Sequence, residues 1–357
     1  MTNIGLLGAG MIANVHAEAI AATNGELVAV FDPCKHRRDA FAQKWDCDSC
    51  DKIEEILSRP DIEAVVIATP NDQHAELSIA AMRAGKDVLL EKPMAMSLAQ
   101  CDDIINVQKE TAQLLQLGFV CRFSPAAMKV KQMIDEGKLG TIRHARATLL
   151  RQRGIPGLGS WFTTKERSGG GCLIDIGVHL IDLLSHLTSA TTPERVLGMC
   201  SQTFSMENYG YDEMWSTPKP DGTFDVEDGV VAITMFANGI TNQIDVSWAT
   251  HLPESFIRDG ITIEGDKGAV WFDLWGDSVA FGSSVDGRSN ESTVEVNVNE
   301  AWGDAFQLEH KAFAEGIVNR IVSSTAGTSD DGRKVQTIVE AIYKSDNEKV
   351  EIQINRP

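Results

Sequence analysis

Ile4-Gly5-Leu6-Leu7-Gly8-Ala9-Gly10-Met11-Ile12-Ala13 runs from a short apolar stretch through a glycine pair into a helical pattern. Ile4–Leu7 reads as a buried strand, and Ile12–Ala22 carries helical periodicity. Between them, Gly8-Ala9-Gly10-Met11-Ile12-Ala13 fits Gly-x-Gly-x-x-Gly/Ala. Gly8 permits a tight turn, Gly10 lets backbone approach a pyrophosphate, and Ala13 lets helix and strand pack closely. Met11 and Ile12 open the helix, whose N-terminal N–H groups favour an anion. Asp32 lies 22 residues beyond Gly10 at the end of the next apolar run, Leu27–Phe31. A carboxylate there accepts from an adenine-ribose diol and repels a 2′-phosphate, which favours NAD over NADP. Lys35, Arg37 and Arg38 follow. They are read as a solvated helix face, with Arg37 also a candidate cofactor contact and NADP left possible.

The alternation continues outward. Ala64–Ala68, Val88–Leu90 and Leu114–Phe119 read as strands, and His36–Lys44, Ala75–Ala84 and Leu98–Thr111 as helices. Strand and helix in turn imply right-handed crossovers and a doubly wound parallel sheet. Ligands of such sheets sit beyond the carboxyl ends of strands. That places Thr69, Pro70, Asn71 and His74 as candidate cofactor contacts. After about residue 121 the pattern changes. A helix at Pro125–Glu136 and a strand at Ile142–Leu150 lead into a loop at 151–168. Antiparallel strands are expected from 194 to about 297, among them Val230–Phe236, Thr241–Trp248, Ile261–Glu264 and Ala269–Leu274. Residues 205–226 read as a long polar and aromatic insert, and helices return at 304–322 and 330–344. The expected division is a nucleotide-binding domain at 1–121 and a second domain at 122–357, built on a large open, predominantly antiparallel sheet flanked by helices.

Composition narrows the function. The 357 residues hold 32 basic and 51 acidic side chains, a formal charge of −19. This balance argues against nucleic-acid and anionic-membrane partners. No unbroken run of 18 apolar residues occurs, so no membrane span is expected. Seven cysteines without framework spacing, and an N-terminus that enters a strand directly, point to the cytoplasm. Cys47-Asp48-Ser49-Cys50 lacks the second pair a zinc site needs, so no metal is expected.

Two further stretches carry chemistry. Glu91-Lys92-Pro93 follows a strand. About 80 residues later comes Gly169-Gly170-Gly171-Cys172-Leu173-Ile174-Asp175-Ile176-Gly177-Val178-His179-Leu180-Ile181-Asp182. A helix over 173–188 sets Asp175, His179, Asp182 and His186 on one face, with leucine, isoleucine and valine covering the rest. Such a stripe faces either a cavity or a buried polar network. A histidine beside a carboxylate exchanges a proton near neutral pH.

With these three motifs in order, the chain resembles the glucose–fructose oxidoreductase, inositol dehydrogenase and MocA (Gfo/Idh/MocA) family over nearly its whole length. Asp225-Val226-Glu227-Asp228, Ile263–Gly268 and Glu340–Ser345 fit it too. The resemblance implies an NAD- or NADP-dependent oxidoreductase acting on a hydroxyl or carbonyl of a sugar, glycoside or inositol-like polyol. It implies that Lys92, Asp175 and His179 line the site, that the Lys92–Pro93 bond is cis, and that Arg122 and Trp161 lie near nicotinamide or substrate. Glu91 is expected to orient Lys92 or cap a backbone group. His179 is read as the general base for oxidation, with Lys92 as the competing proton acceptor, and Asp175 as holding substrate hydroxyls or the histidine. The segment Gly118–Arg122 lacks an asparagine that some relatives carry. Substrate choice is expected to rest on 151–168 and 205–226. A homodimer or homotetramer is expected, because open antiparallel sheets with an apolar face tend to be covered. Two other classes compete: an NAD-dependent glycosidase with transient hydride transfer, and a non-catalytic cofactor-sensing regulator.

Overall fold

The structure is a computed structural model describing residues 2–23, 25–204, 211, 212, 215–219, 221–298 and 301–354. The chain begins with β1 (Asn3–Leu7), α1 (Met11–Ala22), β2 (Glu26–Phe31), α2 (Lys35–Trp45), β3 (Asp48–Cys50) and α3 (Ile53–Leu57). It continues through β4 (Ala64–Ile67), α4 (His74–Arg83), β5 (Asp87–Glu91), α5 (Leu98–Thr111) and β6 (Leu115–Gly118). Next come α6 (Pro125–Asp135), β7 (Ile142–Leu150), β8 (Ile155–Pro156), α7 (Lys165–Ser168) and α8 (Val178–Thr188). Then follow β9 (Pro193–Ser201), β10 (Tyr211–Asp212), β11 (Gly229–Phe236), β12 (Thr241–Ser247), β13 (Gly260–Gly265) and β14 (Gly268–Phe272). The last elements are β15 (Ser278–Val285), β16 (Arg288–Glu295), α9 (Ala301–Asn319), α10 (Ser329–Glu348) and β17 (Ile352–Gln353).

Two compact units result, one of residues 1–123 with 303–336, the other of 124–302 with 337–357. The first holds a parallel sheet in the order β3-β2-β1-β4-β5-β6, the doubly wound order with its reversal between β1 and β4. β4 and β5 are buried throughout, as expected of strands covered on both faces. Ile4, Leu6, Val30, Val66 and Leu89 form one core with Ala13, Ala17 and Ile20 of α1 and Phe313 of α9. A linear division after residue 121 therefore misplaces 303–336, which belong with the first unit. Helical periodicity shows that a helix has an apolar face but not which sheet receives it. The reading also passed over β3 and α3, which are too short and polar to stand out.

The second unit carries a sheet ordered β16-β15-β14-β13-β7-β12-β11-β9-β17. Its neighbours are antiparallel except for β7 with β12. α8 packs on β7 and β12, and α6 packs on α8. Ser124 starts α6 by accepting from the Ala127 N–H at 3.3 Å, with Pro125 at the first helical position. The stretch Lys165–Thr188 is long and apolar enough to cross a membrane by length and composition, but it is mostly buried inside the protein. It is a core segment, broken at Gly169. Leu197, Met199, Val231 and Ile233 point outward as exposed side chains; Val231 pairs across the ladder with Met199, and Ile233 with Leu197.

Phe313→Ala is expected to destabilise the protein by about 3–5 kcal/mol, the cost of emptying a fully buried aromatic site. Urea denaturation measures it. A loss below about 1 kcal/mol would show that the segment 303–336 does not pack into the first core.

Candidate active site

Gly8 adopts a φ of +103°, and a Cβ there would lie 2.5 Å from the Ala68 carbonyl oxygen. No other residue fits. Gly10 differs, because a Cβ on it meets nothing within 4 Å. The fold itself does not demand glycine at position 10; the space in front of it does, if something must approach the backbone. α1 starts at that space with Gly10 as its cap, no side-chain cap bond and no acidic residue in its first turn. Its leading N–H groups are thus offered to an anion, which fits the pyrophosphate of a dinucleotide. Met11 is exposed beside the space, Ile12 is half-buried, and Ala13 is buried against the sheet.

Asp32, buried at the end of β2, is fully engaged. Its Oδ2 accepts from the Ala9 N–H at 3.0 Å and Arg37 Nε at 3.0 Å. Its Oδ1 accepts from the Cys34 N–H at 2.8 Å and Arg37 Nη2 at 2.9 Å. That uses about all the acceptor sites of a carboxylate, so a ribose diol must displace Arg37. Arg37 is half-exposed and able to leave, though its hydrogen bond to Asp32 raises its pKa. The three basic residues have separate fates. Lys35 pairs with Asp39 in solvent. Arg38 is buried, donating to the Asp32 carbonyl at 3.0 Å and Ser49 Oγ at 3.0 Å and pairing with Asp51. Lys35 and Arg37 are exposed, as expected of a solvated helix face, whereas the buried Arg38 corrects that expectation.

Beyond β4, Thr69 is buried with an Oγ1 that makes no hydrogen bond, and Asn71 is buried in the short turn after Pro70. His74 is fully buried, with Nδ1 at 2.7 Å from the Pro93 carbonyl and Nε2 at 3.0 Å from the Thr69 carbonyl. A neutral ring satisfies one of these at a time, and burial holds its pKa low. His74 therefore ties the end of β4 to the Pro93 backbone.

Glu91 ends β5 as a buried carboxylate. Its Oε1 lies 2.9 Å from His16 Nε2, and its Oε2 accepts the Lys92 N–H at 3.1 Å. Lys92 is half-buried and joined to Pro93 by a cis peptide, as the resemblance implied. Gly118 on β6 lets the strands close at this point, since a Cβ would stand 3.2 Å from Glu91 Cα. Arg122 is buried, with Nη1 donating to the Ala326 carbonyl at 3.0 Å and Nη2 3.1 Å from Asp331. Its guanidinium ties the turn after β6 to the segment before α10.

In the second unit, the glycine triplet answers to one left-handed turn and two crowdings. Gly169 closes α7 at a φ of +84°. A Cβ on Gly170 would stand 1.9 Å from Tyr343 Oη, and one on Gly171 1.8 Å from the Glu227 carbonyl oxygen. Glu227 Oε1 accepts from the N–H groups of Gly171 at 2.8 Å and Leu173 at 3.1 Å and from Tyr343 Oη at 3.0 Å. Burial nonetheless pushes its pKa up, against those hydrogen bonds. The next turn, Leu173–Gly177, is π-helical and runs into α8. Such turns occur often at functional sites. Asp175 sits on it half-buried, and Oδ2 accepts from Trp248 Nε1 at 2.8 Å. His179 one turn on and His186 are half-buried, while Asp182 is buried. Trp161 stacks on Phe162 with centroids 3.9 Å apart. The role of Trp248 and the buried partners His16 and His310 were missed by the sequence reading. They lie far along the chain from the motifs they serve. Of the insert, residues 205–210, 213, 214 and 220 lie outside the described residues.

The cysteines are free thiols, and no cluster of metal-ligating side chains occurs among the described residues. Cys47 is pushed up to about 11, first by burial and then by Asp48.

A doubly wound nucleotide-binding unit carrying a glycine cradle and a Glu-Lys-Pro strand end, with a second unit built on an open sheet, is the architecture of a dinucleotide-dependent dehydrogenase. Comparison with known sequences agrees. The NAD-binding Rossmann-fold model of the GFO/IDH/MocA oxidoreductase family matches residues 2–119, and the family's C-terminal domain model matches residues 127–271. The chain belongs to this family of NAD-binding oxidoreductases. It is 28% identical over 348 residues to D-glucoside 3-dehydrogenase of Escherichia coli (strain K12), covering 96% of this chain and 94% of the relative. It is 30% identical over 275 residues to 1,5-anhydro-D-fructose reductase of Ensifer adhaerens, covering 76% and 75%. Among solved structures, levoglucosan dehydrogenase in complex with NADH and levoglucosan superposes with a TM-score of 0.87 at 25% identity, covering 99% of this chain and 100% of that one.

Gly171→Ala is expected to cost about 1–3 kcal/mol or more, because the new methyl meets backbone rather than a flexible side chain. Thermal and urea unfolding measure it, and an unchanged midpoint would contradict the packing described. Cys47 should alkylate at pH 8 about 100-fold more slowly than a thiol with the ordinary value, since only the thiolate reacts. Mass spectrometry of iodoacetamide-treated protein checks this, and rapid labelling of Cys47 would refute it.

Proposed function

We propose that the protein transfers a hydride between NAD(H) and a hydroxyl-bearing carbon of a neutral sugar, glycoside or cyclitol. The observation that supports this most directly is the open space in front of Gly10, on the same sheet edge as Glu91-Lys92. Neutral polyols suit a chain of charge −19, which would repel acidic substrates at long range. The dehydrogenase names of the relatives favour this reading over a glycosidase or a regulator.

Gly8, Gly10, Met11, Ile12 and Ala13 would hold the pyrophosphate side of the cofactor, Asp32 with Arg37 the adenine ribose, and Thr69, Pro70 and Asn71 the segment beyond. When bound, the nicotinamide supplies the hydride acceptor or donor. Lys92 holds positive charge near the reacting oxygen and stabilises developing alkoxide. His179 takes the hydroxyl proton in the oxidation direction and returns it in reduction. Asp175, steadied by Trp248, orients substrate hydroxyls. Loop 151–168, with Trp161, and insert 205–226 select the substrate. The protein works in the cytoplasm, where its free thiols stay reduced. It assembles as a homodimer or homotetramer through the outward face of Leu197, Met199, Val231 and Ile233.

Lys92→Ala is expected to lower turnover by orders of magnitude while NADH still binds, measured by absorbance at the NADH band over a panel of sugars and cyclitols and by fluorescence titration. Near-normal turnover would refute the assignment. NAD should be preferred over NADP, and Asp32→Ala should narrow the gap. A native preference for NADP in kcat/KM would count against this cofactor reading. Met199→Asp should shift the sedimenting species towards monomer, and an unaltered sedimentation profile would remove this face from the interface.

A further inference from the structure

Behind the Glu91 carboxylate the first unit buries a chain of ionisable groups that hydride transfer does not itself require. His16, fully buried on α1, places Nε2 2.9 Å from Glu91 Oε1 and Nδ1 2.9 Å from His310 Nε2 on α9. Phe306 closes the His16 ring from the side, edge-on at 5.4 Å. Glu309, beside His310 in sequence, is also fully buried, and neither of its carboxyl oxygens makes a hydrogen bond. Gln116 on β6 donates to the Glu309 carbonyl at 3.1 Å. The groups that decide the charge here are therefore Glu91, His16, His310, Glu309 and Lys92.

Their donor and acceptor roles follow from chemistry. A carboxylate only accepts, so His16 Nε2 carries a hydrogen. With that one hydrogen on Nε2, Nδ1 accepts, and His310 Nε2–H donates to it. His310 Nδ1 is left as a bare lone pair, and it makes no hydrogen bond. The reverse arrangement would need a charged His16 and would bury an unpaired N–H on His310, a costlier defect. Burial and the neighbouring His16 lower the His310 pKa well below its ordinary value, and burial, with Glu91 nearby, raises that of Glu309 well above its own. The result is one directed chain: His310 donates to His16, His16 donates to Glu91, and the Lys92 N–H donates to the other Glu91 oxygen.

We propose that His16, backed by His310, is a positioning residue for Lys92 and acts through the Glu91 carboxylate. The chain holds both Glu91 oxygens in place, and with them the backbone from which the Lys92 amine extends. This inference rests on the assignment of Lys92 to the reacting oxygen. His16 touches neither substrate nor cofactor in this account. It also lies on the helix whose N-terminus forms the glycine cradle, so the strand end and that helix are fastened by one hydrogen bond.

The test compares His16→Leu, His16→Gln, His310→Leu, Glu91→Gln and the double variant His16→Leu/Glu91→Gln in the full-length protein. His16→Leu should lower kcat about tenfold or more, the scale of a small misplacement of a reacting group. The NADH dissociation constant should stay within about threefold. His16→Gln, whose amide can donate to Glu91 and accept from His310, should recover most of the loss. His310→Leu should give a smaller drop in the same direction. In the Glu91→Gln background, His16→Leu should add little. Without cofactor, the downfield imidazole N–H signals of ¹⁵N-histidine-labelled protein should show the two bridging protons, both lost in His16→Leu. A kcat for His16→Leu within about threefold of the parent, no rescue by His16→Gln, or additive losses in the double variant would overturn the proposal. Failure of the Lys92 assignment is separable: Lys92→Met would then retain turnover with the bridging imidazole signals intact.

Discussion

A carboxylate taken out of water at the end of a strand must be met by donors, or the fold loses several kcal/mol. Glu91 is such a group, and the arrangement of the first unit follows from how it is met. One oxygen takes the N–H of the residue after it, and the other takes an imidazole from α1. For His16 to reach it, α1 must lie close on the sheet, which the buried small residues Ala13 and Ala17 allow. For α1 to leave β1 at that angle, the turn before it needs the positive φ of Gly8. The helix that offers its N-terminus to an anion is thus the helix that secures the strand end bearing Lys92. α9 completes the arrangement through His310 and Phe306, which is why a segment near the C-terminus belongs to the nucleotide-binding unit.

The second unit solves the same problem with another carboxylate. Glu227 gathers two backbone N–H groups and the Tyr343 hydroxyl on one oxygen at the entry to the helix that carries Asp175 and His179. The Tyr343 hydroxyl at position 170 and the Glu227 backbone at position 171 leave no room for a side chain. Both candidate chemical elements, Lys92 and the Asp175/His179 pair, are therefore seated on backbone fixed by a buried acid. In each case the acid is itself held from a distant part of the chain.

What was legible in the sequence was what repeats locally. Strand–helix alternation, the glycine spacing and Asp32 gave the parallel sheet and its cofactor loop, and the glycine loop, Glu91-Lys92-Pro93 and Gly169–Asp182 in order gave the resemblance to the family. Short polar elements such as Asp48–Cys50 carried no periodic signal. The partners of the motifs were illegible for a different reason. His16 is one residue in an apolar helix, and nothing local ties it to Glu91 or to His310, 294 positions away. Nor did anything local show that His74 bridges the Thr69 and Pro93 carbonyls, or that Arg122 reaches the Ala326 carbonyl and Asp331. The π-helical turn at Leu173–Gly177 also lay beyond a reading that assumed a regular α-helix.

The account stands on direct transfer of a substrate hydrogen to the dinucleotide. The most direct measurement takes the best polyol of a substrate panel, deuterated at the carbon oxidised, and analyses the NADH formed with the purified protein by mass spectrometry. Net oxidation by direct hydride transfer predicts one deuterium in each NADH, with an equal amount of carbonyl product. NADH formed without deuterium, or glycosidic cleavage with deuterium exchange and no net NADH, would contradict it.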